Sequence, residues 1–192
     1  MKKKICVLIG PSGSGKSTIA EEIKKNYGAK EFISTTTRSP RKDEIKDVSY
    51  FFKSREEFEE MKKNGELVES SEYAGNYYGL TKESIYDTLE KTDFIIAVLD
   101  KYGAFTIKHL FENNENVEVV FIFINAKIST LYLRMVNRGD KVEKIAERLQ
   151  NIIDNKEMMQ GAFCDYSIFN DGDFEITKQS LRHVVEKILE KN

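Results

Sequence analysis

The chain has 192 residues, of which 40% are hydrophobic and 32% charged, enough for one globular domain with a full core. Its 30 Lys and Arg residues against 32 Asp and Glu residues give a formal net charge of -2, which excludes a broad basic surface for nucleic acid or an anionic membrane. The apolar run at 5–9 is too short for a secretory signal or a membrane span, so we expect a cytoplasmic protein.

Apolar runs along the chain predict a parallel sheet. They lie at 4–9, 31–33, 94–99, 117–124 and 166–169, and several are continuously apolar, as in strands covered on both faces. Helical patterns separate them, and the first of these is predicted to end at Gly28. The alternation predicts a doubly wound α/β core.

The stretch GPSGSGKS at 10–17 follows the first strand and opens a helix, and it matches G-x-x-x-x-G-K-[ST] in full. Its glycines let the backbone amides curl toward phosphate oxygens. Lys16 supplies a point charge to the β- and γ-phosphates, and the Ser17 hydroxyl is a Mg²⁺ ligand of such loops. The predicted ATP-binding residues here are Gly10, Pro11, Ser12, Gly13, Ser14, Gly15, Lys16, Ser17 and Thr18.

Residues 34–82 interrupt the alternation of strands and helices. Ser54-Arg55-Glu56-Glu57 predicts a capping box that opens a helix ending near Asn64-Gly65. The short runs YFF, LVESSEY and NYYGL around it are suited to an antiparallel sheet. We expect a small α+β insert that reaches over the carboxyl ends of the core strands, where ligands bind in such sheets.

The insert carries a group of anion-binding side chains. Arg38 and Arg41 lie in STTTRSPR, and they are accompanied by Tyr50 and by the tyrosines of GNYYG at 75–79. Arginine pairs are usually solvated, but guanidinium groups bind phosphate through two parallel hydrogen bonds and phenols add neutral donors. Two arginines and two tyrosines on one insert therefore predict an anion cage that faces the loop at 10–17.

A single acidic residue ends another core strand. Asp100 follows the apolar run FIIAVL, which is the pattern of a Walker B acid near a metal ion. We expect Asp100 to contact the Mg²⁺ that accompanies ATP, directly or through a water.

The chain resembles the guanylate kinases over nearly its whole length. The stretches that carry the resemblance are GPSGSGKST, STTTRSPR, SREEFEEMKKNGELVE, GNYYG, RGDKVEKIAERL and FND. The resemblance implies one domain over 1–192 with a P-loop NTPase fold. Its core would comprise 1–33, 83–130 and 149–192, its GMP-binding insert 34–82, and its helical lid 131–148.

The resemblance also implies the activity, which is transfer of the γ-phosphoryl group from MgATP to GMP or dGMP. The implied GMP-binding residues are Ser34, Arg38, Arg41, Tyr50, Glu69, Tyr78 and Thr81. Among them Ser34 and Glu69 would contact the guanine. A carboxylate suits this role because it accepts hydrogen bonds from N1–H and N2–H, which adenine lacks at those positions.

The lid and the donor side complete the set that the resemblance implies. Arg134, Arg138 and Arg148 match lid arginines that would close on the transferring phosphates, and Asn170 matches a position near the donor adenosine. The predicted catalytic residues are Lys16, Arg38, Arg134, Arg138 and Arg148.

The chain departs from the guanylate kinase pattern mainly around the base. Asp43, Asp47 and Ser49 replace two glycines and an aspartate, so we expect a differently shaped acceptor loop. Leu80 takes the place of a small hydroxyl residue, and Val98 that of an aspartate that contacts guanine. These changes predict a weaker guanine-reading edge beside intact phosphate machinery.

Three other functions are compatible with part of the sequence. A kinase of the same mechanism could have a relaxed or different base preference. Guanylate-kinase-like modules that bind partner proteins typically have degraded P-loops, whereas this one is intact. A generic P-loop ATPase would not explain the arginines and tyrosines of the insert. We expect no nucleic-acid or membrane partner, and the sequence leaves monomer and homodimer open.

Overall fold

The computed structural model describes residues 2–40, 44–73 and 75–190, without the side chain of Tyr73. In chain order the elements are β1 (Lys3–Ile9), α1 (Lys16–Tyr27), β2 (Lys30–Glu31), β3 (Thr35–Thr36), β4 (Phe51–Phe52), α2 (Arg55–Lys63), β5 (Leu67–Tyr73), β6 (Asn76–Thr81), α3 (Lys82–Lys91), β7 (Phe94–Val98), α4 (Lys101–Phe111), β8 (Val117–Asn125), α5 (Ile128–Asn137), α6 (Val142–Asp154), a 3₁₀ helix (Glu157–Phe163), β9 (Tyr166–Phe169) and α7 (Phe174–Glu190).

The larger sheet has five parallel strands in the order β2-β7-β1-β8-β9. Alternate side chains of β1 point to opposite faces, because successive residues of a strand alternate in direction. Cys6 and Leu8 pack in a cluster with residues of α1 and α7, whereas Ile5 and Val7 pack in one with residues of α3 and α4. Helices therefore cover both faces, which confirms the predicted doubly wound core and explains the continuous apolar run in β1.

The topology places two predicted site segments side by side. β1 and β7 are neighbours in the sheet, and their carboxyl ends meet at one edge. The loop at 10–15 follows β1, and Asp100 follows β7 as the N-cap of α4, where its carboxylate accepts a hydrogen bond of 2.8 Å from the Gly103 amide. The phosphate-binding loop and the acidic residue are thus brought together by adjacent strands.

The smaller sheet has four strands in the order β4-β3-β6-β5, all between residues 35 and 81. The predicted capping box is confirmed: the Ser54 hydroxyl accepts from the Glu57 amide at 3.1 Å, and the Glu57 carboxylate accepts from the Ser54 amide at 2.6 Å. The expected antiparallel pairing is found for β5–β6. The sequence did not predict β3, which pairs antiparallel with β6 and parallel with β4, so the sheet is mixed and not purely antiparallel. The long connection from 37 to 50 permits this, since parallel neighbours need a crossover.

The loop before β4 departs from the guanylate kinase pattern in the predicted region. Asp47 has φ of 62°, a left-handed conformation, at a position where the resemblance implies glycine. Its amide donates to the Tyr50 carbonyl at 3.0 Å, which closes the turn ahead of that tyrosine. Arg41 and Asp43 lie outside the described residues.

Helices α5 and α6 enclose a small apolar cluster of their own, which includes Leu131, Met135, Ile145 and Ile152. The predicted lid at 131–148 falls on this helix pair, and the predicted domain boundaries stay a prediction. Within the described ranges, none of the helices is both long and apolar enough to cross a membrane.

Candidate active site

A cleft of about 260 Å³ opens at the carboxyl edge of the larger sheet and is lined by both sheets. It brings together residues that the sequence had placed in three separate segments. The predicted site residues in its lining are Gly10, Ser12, Lys16, Ser34, Tyr50, Glu69, Tyr78 and Asp100. The predicted donor and acceptor sites therefore share one cleft.

A second cleft, of about 660 Å³, lies between α1 and α7. Its lining includes acidic side chains such as Glu22 and Glu186 together with Lys178 and Arg182. None of the predicted site residues lines it in the described part of the chain. The smaller cleft is therefore the candidate active site, although the second has the larger volume.

The loop at 10–15 has the backbone geometry of a phosphate cradle. Gly15 has φ of 92°, and a Cβ there would lie 2.4 Å from the Asn170 side-chain nitrogen, so only glycine fits. A Cβ at Gly10 would lie 2.1 Å from the Ile124 carbonyl oxygen. Both glycines are therefore required for the loop to pack this closely against β8 and β9.

Lys16 is folded over the loop that it follows. Its ammonium group donates to the Gly10 carbonyl at 2.7 Å and to the Pro11 carbonyl at 3.1 Å. Burial lowers the pKa of Lys16 to about 8, with a smaller lowering from the Arg138 charge, while the Glu157 carboxylate acts in the opposite direction. A bound phosphate would raise this pKa again, because a nearby negative charge favours the ammonium form.

The side chains of Arg134 and Asn170 hold the loop through hydrogen bonds to its backbone carbonyls. The Arg134 guanidinium donates to the Gly13 and Ser14 carbonyls at 3.3 and 3.2 Å and to the Asn170 carbonyl at 3.0 Å. The buried Asn170 side chain donates to the Ser14 carbonyl at 2.8 Å and accepts from the Thr177 hydroxyl at 3.1 Å. The predicted contact of Asn170 with the donor adenosine stays a prediction.

Three of the four predicted phosphate-holding residues of the insert lie beside one another. The Arg38 guanidinium is 5.4 Å from the centre of the Tyr50 ring, and that ring meets the Tyr78 ring edge-on at 6.5 Å. The Glu44 carboxylate accepts from Arg38 at 2.8 Å and so holds the guanidinium next to both phenols. The fourth residue, Arg41, lies outside the described residues.

Glu69 lies in the same cleft on β5. Burial, with a smaller contribution from the Asp100 charge, raises the pKa of Glu69 to about 7. A Cβ at Gly103 would lie 3.2 Å from the Glu69 carboxylate, so the absence of a side chain at 103 leaves room for it. Ser34 and Val98 are part of the same lining.

Two residues of the expected base-reading region, Leu80 and Thr81, are not among the described residues that line the cleft, and the predicted role of Thr81 in GMP binding stays a prediction. Leu80 is fully buried and packs in the same core cluster as Ile85 and Leu89 of α3. Neither Leu80 nor Val98 supplies a polar group to the guanine edge, and the predicted weakening of that edge stays a prediction. The Thr81 hydroxyl accepts from the Ser84 amide at 3.1 Å as the N-cap of α3, and Thr81 is likewise not among the described lining residues.

The remaining predicted residues lie around the cleft. Ser17 and Thr18 are exposed at the start of α1. Arg138 and Arg148 both donate to the Asp140 carboxylate, Arg148 at 2.6 Å. They are not part of the cleft lining in the described residues.

Known proteins match this chain over nearly its whole length. A family model described as guanylate kinase matches residues 2–188. The chain belongs to the guanylate kinase family. It is 34% identical over 199 aligned positions to the guanylate kinase of Halalkalibacterium halodurans, covering 99% of this chain and 94% of that protein. It is 36% identical over 194 positions to the guanylate kinase of Clostridioides difficile, covering 100% and 90% of the two chains.

A solved guanylate kinase has the same fold. The crystal structure of guanylate kinase from Anaplasma phagocytophilum matches with a TM-score of 0.66 and 25% identity, over 100% of this chain and 87% of that one. The predicted fold class and family are confirmed.

Some residues of this guanylate kinase site were not found from the sequence. Ser71 lines the cleft with Glu69, and its spacing of two residues along β5 would have revealed it, since such residues share a face. Glu157 lines the cleft from the 3₁₀ helix, and its carboxylate accepts a hydrogen bond from the Ser12 amide. No local pattern indicated it.

Proposed function

We propose that the chain is a guanylate kinase that transfers the γ-phosphoryl group of ATP to GMP, giving ADP and GDP. The observation that carries this function is the single cleft that joins the P-loop lysine, Lys16, to Glu69 and to the tyrosine pair of the insert. A nucleoside triphosphate in the loop and a monophosphate in the insert would face each other across it. We extend the acceptor to dGMP as well.

The insert residues would hold the acceptor phosphate. Arg38 offers a planar fork of donors, and Tyr50 and Tyr78 offer phenolic hydroxyls from the adjacent wall. Arg41 is assigned to the same phosphate from the sequence. Because Glu44 already fixes the Arg38 guanidinium, little side-chain freedom is lost when the phosphate binds.

Glu69 would read the base. An ionised carboxylate accepts hydrogen bonds from guanine N1–H and N2–H, and Ser34 adds a hydroxyl from the facing segment. Glu69 is buried, and this burial raises its pKa. A base that leaves the Glu69 carboxylate without hydrogen-bond donors would therefore bind more weakly than guanine. Val98 is apolar, so the wrong base leaves no buried polar group unpaired at this position. We therefore expect only moderate discrimination against other purines.

The donor side would stabilise charge on the transferring group. Phosphoryl transfer passes through a state with charge spread over the equatorial oxygens, so positioning and electrostatics account for most of the catalysis. The Lys16 ammonium group would stabilise that negative charge, and the lid arginines Arg134, Arg138 and Arg148 would stabilise it further. Exclusion of water when the insert and the lid approach would protect ATP from hydrolysis.

Mg²⁺ fits the donor atoms available beside the loop. Ser17 presents a hydroxyl at the start of α1, and Asp100 presents a carboxylate in the cleft. Both are hard oxygen ligands of the type that Mg²⁺ takes together with phosphate oxygens and waters. When bound, the metal ion would neutralise charge on the β- and γ-phosphates.

The experiment that tests this function is direct product analysis. The protein is incubated with ATP, Mg²⁺ and GMP, and nucleotides are separated by ion-exchange chromatography. We expect GDP and ADP in equal amounts, and no GDP from a folded Lys16→Ala variant. ADP without GDP would show an ATPase, and no turnover by a folded wild-type protein would favour a binding module.

A further inference from the structure

Two arginines from different helices converge on one carboxylate. Arg138 follows the end of α5, and Arg148 lies within α6. The Arg138 guanidinium donates twice to Asp140, through Nε at 3.1 Å and through Nη2, and Arg148 donates through Nη1 at 2.6 Å. The side chains of Asp140 and Arg148 are only 17% and 14% exposed, so these pairs are partly shielded from water.

The backbone fixes Asp140 at the junction of the two helices. The Gly139 amide donates to the Val136 carbonyl at 2.9 Å, and the Asp140 amide donates to the Met135 carbonyl at 3.1 Å. These two bonds, with φ of 81° at Gly139, form a Schellman motif at the end of α5. Asp140 is therefore held by main-chain hydrogen bonds, and its position does not depend on the arginines that it binds.

Arg138, one of the two arginines, lies near the predicted phosphate-binding loop. The Arg138 charge contributes to the lowered pKa of Lys16, and Arg134, on the same helix, donates to the Gly13 and Ser14 carbonyls. Two guanidinium groups this close repel each other, and a shared carboxylate offsets that repulsion. A guanidinium has five N–H donors, so one that is held by a carboxylate can still bind phosphate.

We propose that Asp140 is a positioning residue for phosphoryl transfer: it holds Arg138 and Arg148 together as one preset pair for the transferring phosphates. This inference rests on the proposed function. Preset donors cost no reorganisation at the moment of reaction, so the benefit falls on the transition state and not on ground-state binding. A contact that instead locks the arginines away from the substrates would have the opposite effect on turnover.

The test compares Asp140→Asn with wild type under saturating ATP. The variant keeps the side-chain shape and the turn but removes the charge. We expect kcat to fall about ten- to a hundred-fold, as for a misplaced catalytic group, with KM for GMP within about two-fold. Glu143→Gln, a neutralised exposed acid on α6, is the matched control and should keep wild-type kcat. Circular dichroism and Tm establish that each variant is folded.

Two further variants separate positioning from a general effect of charge. Asp140→Asn added to Arg138→Ala/Arg148→Ala should cause little additional loss of kcat, because the residues that it positions are gone. Asp140→Glu keeps the charge at a shifted position and should retain more kcat than Asp140→Asn, and it also carries the test if Asp140→Asn does not fold.

The outcomes separate this inference from the proposed function. Unchanged or increased kcat in Asp140→Asn, or a loss confined to KM, would overturn the positioning role while wild-type GMP kinase activity stands. If wild type itself forms no GDP, the proposed function fails first.

Discussion

The affinity for GMP should depend on pH through Glu69. Burial and the neighbouring Asp100 raise the pKa of Glu69 to about 7, so near neutral pH the empty site is a mixture of protonated and ionised forms. Only the ionised form can accept both guanine N–H groups. Because the raised pKa favours the protonated acid below pH 7, GMP binding should strengthen as pH rises through 7.

The size of this change in affinity follows from the fraction of protein molecules in which Glu69 is ionised. A pKa of about 7 leaves roughly 9% of Glu69 ionised at pH 6 and roughly 91% at pH 8. Apparent affinity scales with that fraction, so the Kd for GMP should fall about ten-fold between pH 6 and pH 8. At pH 7 binding should release about half a proton from Glu69.

Calorimetry measures both quantities. GMP is titrated into the protein at pH 6, 7 and 8, in two buffers of different ionisation enthalpy at pH 7. The phosphate of GMP has its own ionisation near pH 6, which also strengthens binding as pH rises. Glu69→Gln removes the ionisation of the side chain and keeps that of the GMP phosphate. The difference in pH dependence of GMP binding between wild type and this variant is therefore due to Glu69. Equal slopes in wild type and Glu69→Gln would refute the reasoning.

Three further predictions concern single substitutions. Arg38→Ala should raise KM for GMP about ten- to a hundred-fold, equivalent to about 1.5–3 kcal/mol, with ATP affinity unchanged. Arg38→Lys should recover part of the loss. A fall in ATP affinity instead would assign Arg38 to the donor side. Lys16→Ala should remain folded by circular dichroism with kcat nearly abolished, and retention of most activity would contradict the donor assignment. Val98→Asp should raise the ratio of kcat/KM for GMP over AMP, and an unchanged ratio would show that position 98 does not read the base.

Local sequence patterns predicted the parts of the fold that depend on local chemistry. The capping box of Ser54 and Glu57 and the helix end at Gly28 follow from side-chain and backbone hydrogen bonds within a few residues. The apolar run of β1 follows from burial on both faces. The parallel pairing of β3 and β4 could not be predicted this way, because register between short strands is set by contacts distant in sequence.

The site was predictable where a motif fixes the geometry and not where tertiary packing decides it. The loop carrying Lys16 needs its glycines in a fixed order, so sequence was enough. Leu80 replaces a hydroxyl residue at the base-reading edge, and the sequence did not indicate that its side chain is fully buried in the core. Asp140 meets Arg148 only when α6 packs against α5, and Glu157 meets the Ser12 amide only when the 3₁₀ helix approaches the loop at 10–15. Single charged residues give no local signal of such contacts.

Acceptor specificity is the most direct test of the central claim that this cleft is a GMP site facing an ATP site. The measurement is kcat/KM from coupled ADP release, compared across GMP, dGMP, AMP, IMP, CMP, UMP and dTMP at saturating MgATP. We expect the highest value for GMP, with dGMP also accepted and pyrimidine nucleotides poor, because Glu69 would pair with guanine N1–H and N2–H. A clear preference for AMP or a pyrimidine nucleotide over GMP would contradict it.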